Sequence, residues 1–160
     1  MRITDRLVFF QEMLGSSKVV FSVVAKASKQ RKTLQIERAA ARSISRGPNE
    51  RRGRGEDLTW FVSQLTGPDN RLSYTYLLCI SAKGNDDVPV LKLTKKSPVA
   101  GYDHAAVSAF QWLFKNATME IDALDQCILL KACNCRYCGR LLTVPESIVL
   151  GAGPDCQGRR

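Results

Sequence analysis

At 160 residues, 44% of them apolar and 24% charged, the chain is long enough to bury a core of its own, which excludes a wholly disordered protein. Its 24 Lys and Arg against 15 Asp and Glu leave a net charge of +9, so acidic or phosphate-bearing partners come before cationic ones. The longest apolar run, residues 19–25, is broken by Ser22 and falls far short of the roughly 20 residues a membrane helix needs. Residues 7–10 are too short an apolar stretch for an export signal, and no small-residue cleavage site follows them. The expectation is a cytosolic protein with no membrane partner.

In chain order, Phe21, Val23 and Ala25 alternate with Val20, Ser22 and Val24, which predicts a strand covered on both faces. A polar stretch follows, and then Leu34 and Ile36 share a face, so residues 21–36 read as a hairpin. Residues 42–57 keep a single large apolar side chain, Ile44, and gain Gly47, Pro48, Gly53 and Gly55, the composition of a linker. Structure resumes at Trp60, and Thr66-Gly-Pro-Asp-Asn70 supplies turn chemistry. Residues 73–80 alternate again and predict Tyr74, Tyr76, Leu78 and Ile80 on one face. A turn at residues 83–87 leads to a short strand over 88–93. Asp103 then reads as the N-cap of a helix running to about Asn116, with apolar residues at 106, 107, 109, 110, 113 and 114 on one stripe. Trp112 points away from the centre of that stripe, toward a second layer or a partner. A last strand is expected over 127–130.

The six cysteines are Cys79, Cys127, Cys133, Cys135, Cys138 and Cys156. Without an export signal, and with four of them inside 24 residues, they read as metal-binding thiols rather than a disulfide framework. Cys135-Arg-Tyr-Cys138 places two sulfurs on one ion, and Gly139 can take the positive φ that such a knuckle requires. Cys156 brings a third thiolate. Zinc suits this set as a structural, redox-inert ion. The fourth ligand is left among Cys133, Cys127, His104 and water, with Cys133 nearest in sequence. Cys79, inside a strand pattern, reads as a buried free thiol. A redox use of Cys-x-x-Cys requires a long following helix, which Pro145 interrupts.

The run Cys135-Arg-Tyr-Cys138-Gly139-Arg-Leu-Leu-Thr-Val-Pro-Glu-Ser-Ile148, followed by Gly151-Ala-Gly-Pro-Asp-Cys156, resembles a small module of bacteriophage and prophage proteins of unknown function. Those proteins carry Cys-Gly-x-Cys-Gly-Arg-x-Leu-Thr-x-Pro-Glu-Ser-Ile ending in Gly-Ile-Gly-Pro-x-Cys. Phe61-Val-Ser-Gln-Leu-Thr-Gly-Pro-Asp-Asn70, Tyr74-Thr-Tyr-Leu77 and Ala109-Phe-Gln-Trp112 resemble further parts of that group, in the same order. The resemblance implies Cys135, Cys138 and Cys156 as metal positions, a mobile-element origin, and action in the cytoplasm of a bacterial host. The chain departs from the group at Arg136, where glycine is common. It departs again near Lys131, where relatives often carry a histidine.

Residues 26–54 hold ten basic side chains and two acidic ones, so a net +8 of the total +9 lies there. Arg31, Lys32, Arg51, Arg52 and Arg54 from this stretch, with Arg136, Tyr137 and Arg140 on the knuckle, are the candidate nucleic-acid contacts. A solvated loop whose charge serves solubility explains the stretch equally well. No deaminase His-x-Glu, His-Glu-x-x-His, phosphate-binding Gly-Lys loop or Gly-x-Ser-x-Gly elbow is present. His104, the single imidazole, reads as a surface residue beside a helix cap. The expectation is therefore no enzyme and no small-molecule substrate.

Together these readings predict an α+β protein, a small antiparallel sheet with one packed helix plus a C-terminal zinc-knuckle module. The expected divisions are an N-terminal hairpin region over 1–41, a basic linker over 42–57, an α+β core over 58–130 and the zinc-binding module over 131–160. The expected function is a phage-encoded, non-catalytic nucleic-acid-binding protein. The competing expectation is an inhibitor or modulator of a host protein complex in transcription or defence, anti-CRISPR factors being one form. That second expectation rests on the phage resemblance and on Trp60 and Trp112 as interface anchors.

Overall fold

Period-two alternation dominates the chain, and most of it becomes sheet. The computed structural model describes residues 1–40, 57–83, 88–97, 105–118 and 124–158. Its elements are β1 (Arg2–Ile3), α1 (Arg6–Gly15), β2 (Lys18–Ala25), β3 (Arg31–Arg38), β4 (Asp57–Leu65), β5 (Tyr74–Lys83), β6 (Val90–Lys92) and α2 (Ala105–Thr118). These are followed by β7 (Cys127–Lys131), β8 (Cys133–Asn134), β9 (Leu141–Leu142) and α3 (Pro145–Leu150). Seven strands form one antiparallel sheet in the order β1-β7-β2-β3-β4-β5-β6, while β8 and β9 make a separate two-stranded ribbon. Strands from both sides of residues 41–56 lie in this one sheet. The α+β class expected from the sequence is the class adopted, with two helices rather than one on the main core.

The hairpin of β2 and β3 pairs Val19 with Ile36 and Phe21 with Leu34, and both faces of β2 are buried through Val23. Inward-facing Val19, Phe21, Leu34, Ile36, Trp60, Val62, Ile80 and Leu129 meet Phe9 and Met13 of α1 and Val107, Phe110 and Leu113 of α2 in one core. Phe9 and Phe21 pack edge to face at 5.1 Å, a geometry aromatic quadrupoles favour. Trp60 is buried, and its indole N–H donates to the Leu14 carbonyl at 3.2 Å, which ties β4 to the end of α1.

Two local features depart from what the sequence led one to expect, an unassigned helix and the facing of β5. No element is expected from the sequence over residues 6–15, although Phe9 and Met13, and Phe10 and Leu14, stand four apart within and beyond the run Leu7, Val8, Phe9 and Phe10. Residues 6–15 nonetheless form a helix, capped by Asp5, whose carboxylate accepts from the Leu7 and Val8 amides at 2.7 and 3.2 Å. On β5, the four residues expected on one face divide between two. The register shifts between Val62 and Ser63, so that Val62 faces Leu78 while Ser63 faces Tyr76. Leu77 is the extra residue of a β-bulge, so Leu78 and Ile80 enter the core while Tyr74 and Tyr76 stand on the opposite face. Of the two placements expected for Trp112, the structure shows the covering layer: the side chain is half-buried and packs against the main cluster. The proposed cap Asp103 lies outside the described residues.

β7 has two coverings. Cys127 and Leu129 belong to the main core, whereas Leu130 joins Cys135, Leu142, Ile148, Ala152 and Cys156 in a second, smaller cluster, with Ile128 packed against it. The C-terminal module is thus seated on the sheet face opposite the helices. It also reaches the turn between β4 and β5, where the Asn70 amide donates to the Leu141 carbonyl at 2.9 Å and the Arg71 guanidinium to the Gly139 carbonyl at 3.0 Å. Since β2 and β3 lie between β7 and β4 in the sheet, the module bridges them. The turn itself requires glycine at 67, because a Cβ there would stand 2.7 Å from the Ser73 Cβ.

Candidate metal centre

β8 carries the chain into the knuckle and β9 carries it out. Between them the Cys135 amide donates to the Arg140 carbonyl at 2.8 Å, and the Gly139 amide returns to the Cys135 carbonyl at 2.9 Å. That tight reversal places Gly139 at φ +70°, the left-handed region where a Cβ is strained. Pro145 opens α3 at its first position, where its missing N–H costs nothing, and Gly151 ends it at φ +65°. A short 3₁₀ turn over Pro154–Cys156 then aims the last cysteine at the knuckle.

The result is convergence. The sulfurs of Cys135, Cys138 and Cys156 all lie within 4.8 Å of one another, and among the described residues no other group of three or more His, Cys, Asp or Glu ligand atoms does so. Cys135 and Cys156 are buried and Cys138 is exposed. Backbone N–H groups of Cys138, Gly153 and Tyr137 point at the Cys135 sulfur and pull its pKa down to about 6. Cys156 moves the other way, pushed up to about 11 by its hydrogen bond with the Cys138 sulfur, by burial and by the Cys135 sulfur. Three thiols this close resist losing all their protons to water, because each new thiolate repels the next. A bound cation removes that repulsion, and amide-to-sulfur bonds already favour one thiolate. The three cysteines can hold a metal ion.

The other cysteines are not brought into the group. Cys133, read as the nearest fourth ligand, turns its thiol to the Ile148 carbonyl at 3.8 Å. The buried Cys127 thiol donates to the Leu124 carbonyl at 3.4 Å, and burial raises its pKa. Cys79 is buried and directs its thiol at the Lys92 carbonyl at 3.6 Å. His104, the remaining protein candidate, lies outside the described residues.

Basic and aromatic groups ring the cysteines. Arg136 donates to the Leu150 carbonyl at 3.1 Å and lies over the Tyr137 ring at 5.2 Å, so the half-exposed ring is braced on one side by a cation. Arg140 meets Asp155 at 3.8 Å with both side chains mostly exposed, a pair worth little in water. An open cleft of about 480 Å³ separates the knuckle from the β4–β5 turn, with Cys138, Gly139 and Arg140 on one wall and Asp69, Asn70 and Arg71 on the other. The Asp69 carboxyl is held below its usual range by the Arg71 and Leu72 amides it accepts from, with the charges of Arg71 and Arg140 adding to the effect.

Arg31 is exposed and Lys32 half-buried at the start of β3. The pairing of Leu34 with Gln64 brings them to the sheet end from which the β4–β5 turn projects. Arg51, Arg52 and Arg54 lie outside the described residues. Asn70 and Arg71, which brace the knuckle, were not singled out from sequence. They stand about 70 residues from it, and no local spacing joins the two.

No described helix is long and apolar enough to cross a membrane. No curated protein and no solved structure matches the chain. Residues 132–160, the segment that carries all three clustered cysteines, match a family described as a family of unknown function, DUF6011.

Proposed function

We propose that this chain is a non-catalytic nucleic-acid-binding protein whose C-terminal module is folded around one structural zinc ion. The observation that carries the reading is the convergence of three cysteine sulfurs within 4.8 Å on a turn whose intervening and following residues are Arg136, Tyr137 and Arg140. Zinc is the ion that fits a thiolate-rich, redox-silent structural site. The small cluster under the module holds Leu130, Leu142 and Ile148 as its only large buried aliphatics, each worth roughly 1.5–3 kcal/mol. A structural zinc supplies roughly 10–16 kcal/mol in comparable small domains, so the metal, not the apolar contact, holds the module in this reading. The basic side chains of residues 26–54 then supply sequence-independent attraction to phosphates, while the knuckle presents a ring and guanidinium groups to a base.

Elemental analysis of the purified protein tests the metal: one zinc per chain is expected, and none removes the zinc. Fluorescence anisotropy with a labelled oligonucleotide in rising salt tests the rest. Seven or so phosphate contacts give a slope of about −6 in log affinity against log salt on duplex DNA, whereas a flat response or no binding at low salt removes the nucleic acid. The bacteriophage origin and the bacterial cytoplasm belong to the same proposal and rest on the sequence resemblance.

A second reading, a factor directed at a host protein complex such as a transcription or defence assembly, has a different support. Its expected anchors, Trp60 and Trp112, pack into the main core. Val149 and Leu150 of α3 are instead 74% and 51% exposed beside the knuckle, apolar surface of the kind a protein partner covers. Capture from host lysate after nuclease treatment separates the readings. A stoichiometric protein partner retained after nuclease favours this one, and partners lost with the nucleic acid favour the first.

A further inference from the structure

The bulge at Leu77 has a result beyond packing. It turns Tyr76 out of the core and onto the sheet face that Phe61 and Cys79 share, since Phe61 pairs with Cys79 and Ser63 with Tyr76. Phe61 is 44% exposed, and its ring meets that of Tyr76 edge to face at 6.1 Å. Lys92 pairs with Cys79 and so joins the same face, with its side chain exposed. The Thr94 hydroxyl donates to the Tyr76 hydroxyl at 3.2 Å, which brings the exposed Lys95 and Lys96 of the following turn alongside. That turn is pinned to β5 by the Ser97 hydroxyl, which donates to the Leu77 carbonyl.

The charge here has one sign. Residues 88–97 contain three lysines and no acid, and none of the ion pairs among the described residues involves Lys92, Lys95 or Lys96. Among the described side chains, the acidic neighbour on this face is Glu37 opposite Phe61, already engaged by Lys18 at 3.6 Å and by the Gln35 amide at 3.2 Å. An exposed ring and a half-buried one, Phe61 and Tyr76, with a row of cations beside them match the two faces of a single strand, flat bases and a phosphate backbone. A duplex hides its bases and gives the rings nothing to stack on.

We propose that the outer face of β4, β5 and β6 binds single-stranded nucleic acid, with bases stacking on Phe61 and Tyr76 and phosphates meeting Lys92, Lys95 and Lys96. This inference rests on the nucleic-acid reading above and deepens it, adding a strand type and a surface separate from the knuckle. Its test uses the full chain and anisotropy with labelled 12-nucleotide poly-dT, poly-rU and a 12-base-pair duplex at low salt.

The double variant Phe61→Leu with Tyr76→Leu keeps apolar bulk and removes the rings. Its single-strand affinity is expected to fall about fivefold or more for each ring lost, with duplex binding unchanged. Tyr76→Phe, which keeps the ring, is expected to retain wild-type affinity. Changing Lys92, Lys95 and Lys96 to Gln is expected to lower the single-strand salt slope by about two. If the double variant fails to fold, Phe61→Leu alone, at a half-exposed site, carries the same expectation for one ring. Comparison of the two oligomers distinguishes DNA from RNA as the source of the strand. Unchanged single-strand affinity in the ring variants, or an equal loss on duplex, overturns this surface and leaves the knuckle reading standing. A wild-type protein that binds none of the three probes overturns both.

Discussion

Cys135 and Cys156 sit in one group of sulfurs yet hold their protons very differently. With a pKa of about 6, Cys135 is already thiolate at pH 7, whereas Cys156 at about 11 keeps its proton. Metal binding must displace that proton, so affinity falls as pH falls, because protons and the cation compete for the same lone pairs. From Cys156 alone, the apparent zinc affinity is expected to drop about tenfold per pH unit between pH 9 and pH 7. Below pH 6 the slope should steepen by about one further unit as Cys135 also protonates. Competition with a chromophoric chelator across pH measures both segments, and a flat profile contradicts the proton count. At the same scale, Cys138→Ser should abolish stoichiometric zinc, whereas Cys133→Ser, whose thiol faces the Ile148 carbonyl, should leave it intact; elemental analysis reads both.

Among the elements, α1 depends on a single side chain for its start. Asp5→Ala leaves the Leu7 and Val8 amides without their carboxylate acceptor and should destabilise the protein by about 1 kcal/mol, within the roughly 0.5–2 kcal/mol range for N-caps. Thermal or urea denaturation reads that loss, and Asp5→Asn, which keeps the acceptor, should recover most of it. α1 also marks where sequence reading stops. Asp5 is not read as a cap from sequence, and the pairs Phe9–Met13 and Phe10–Leu14, four apart, are obscured by the consecutive apolar run from Leu7 to Phe10; the helix buries Phe9 and Met13 against the sheet. The β2–β3 hairpin was legible because alternation is a local property of the chain. The two-faced β5 was not, since a bulge is set by the neighbouring strand's register. The knuckle was visible because two of its cysteines and its glycine sit within five residues. Its bracing by Asn70 and Arg71 was not, for want of any such local mark.

Across the whole molecule, two apolar clusters share β7 and little else. The larger holds α1, α2 and side chains from all seven sheet strands, Leu91 of β6 packing at its margin, and among the described residues it contains no group of metal ligands. The smaller is short of apolar bulk and, in the proposed reading, stands on its metal. Chelation is therefore expected to act locally. Amides at Cys135, Gly139 and Ile148, hydrogen-bonded within the module, should lose protection against hydrogen exchange, while those of β2, β3 and β4 should keep it. Equal loss everywhere would mean that the clusters unfold as one unit. Far-UV circular dichroism should accordingly change little on metal removal, because the sheet and two longer helices supply most of the ordered backbone.

The strand order carries a consequence for synthesis. β7 lies between β1 and β2, so residues 127–131 must arrive before either neighbour has its hydrogen-bonding partner on that side. On a ribosome, the hairpin made by residues 18–38 emerges with both margins bare; β4 soon covers the β3 side, but the β2 side waits for nearly a hundred further residues to be translated. Throughout that interval the row of free amides and carbonyls along β2 is open to any extended peptide nearby. Nascent chains stalled before residue 127 should therefore co-aggregate or recruit chaperones, and chains stalled far enough beyond residue 131 for β7 to clear the exit tunnel should not.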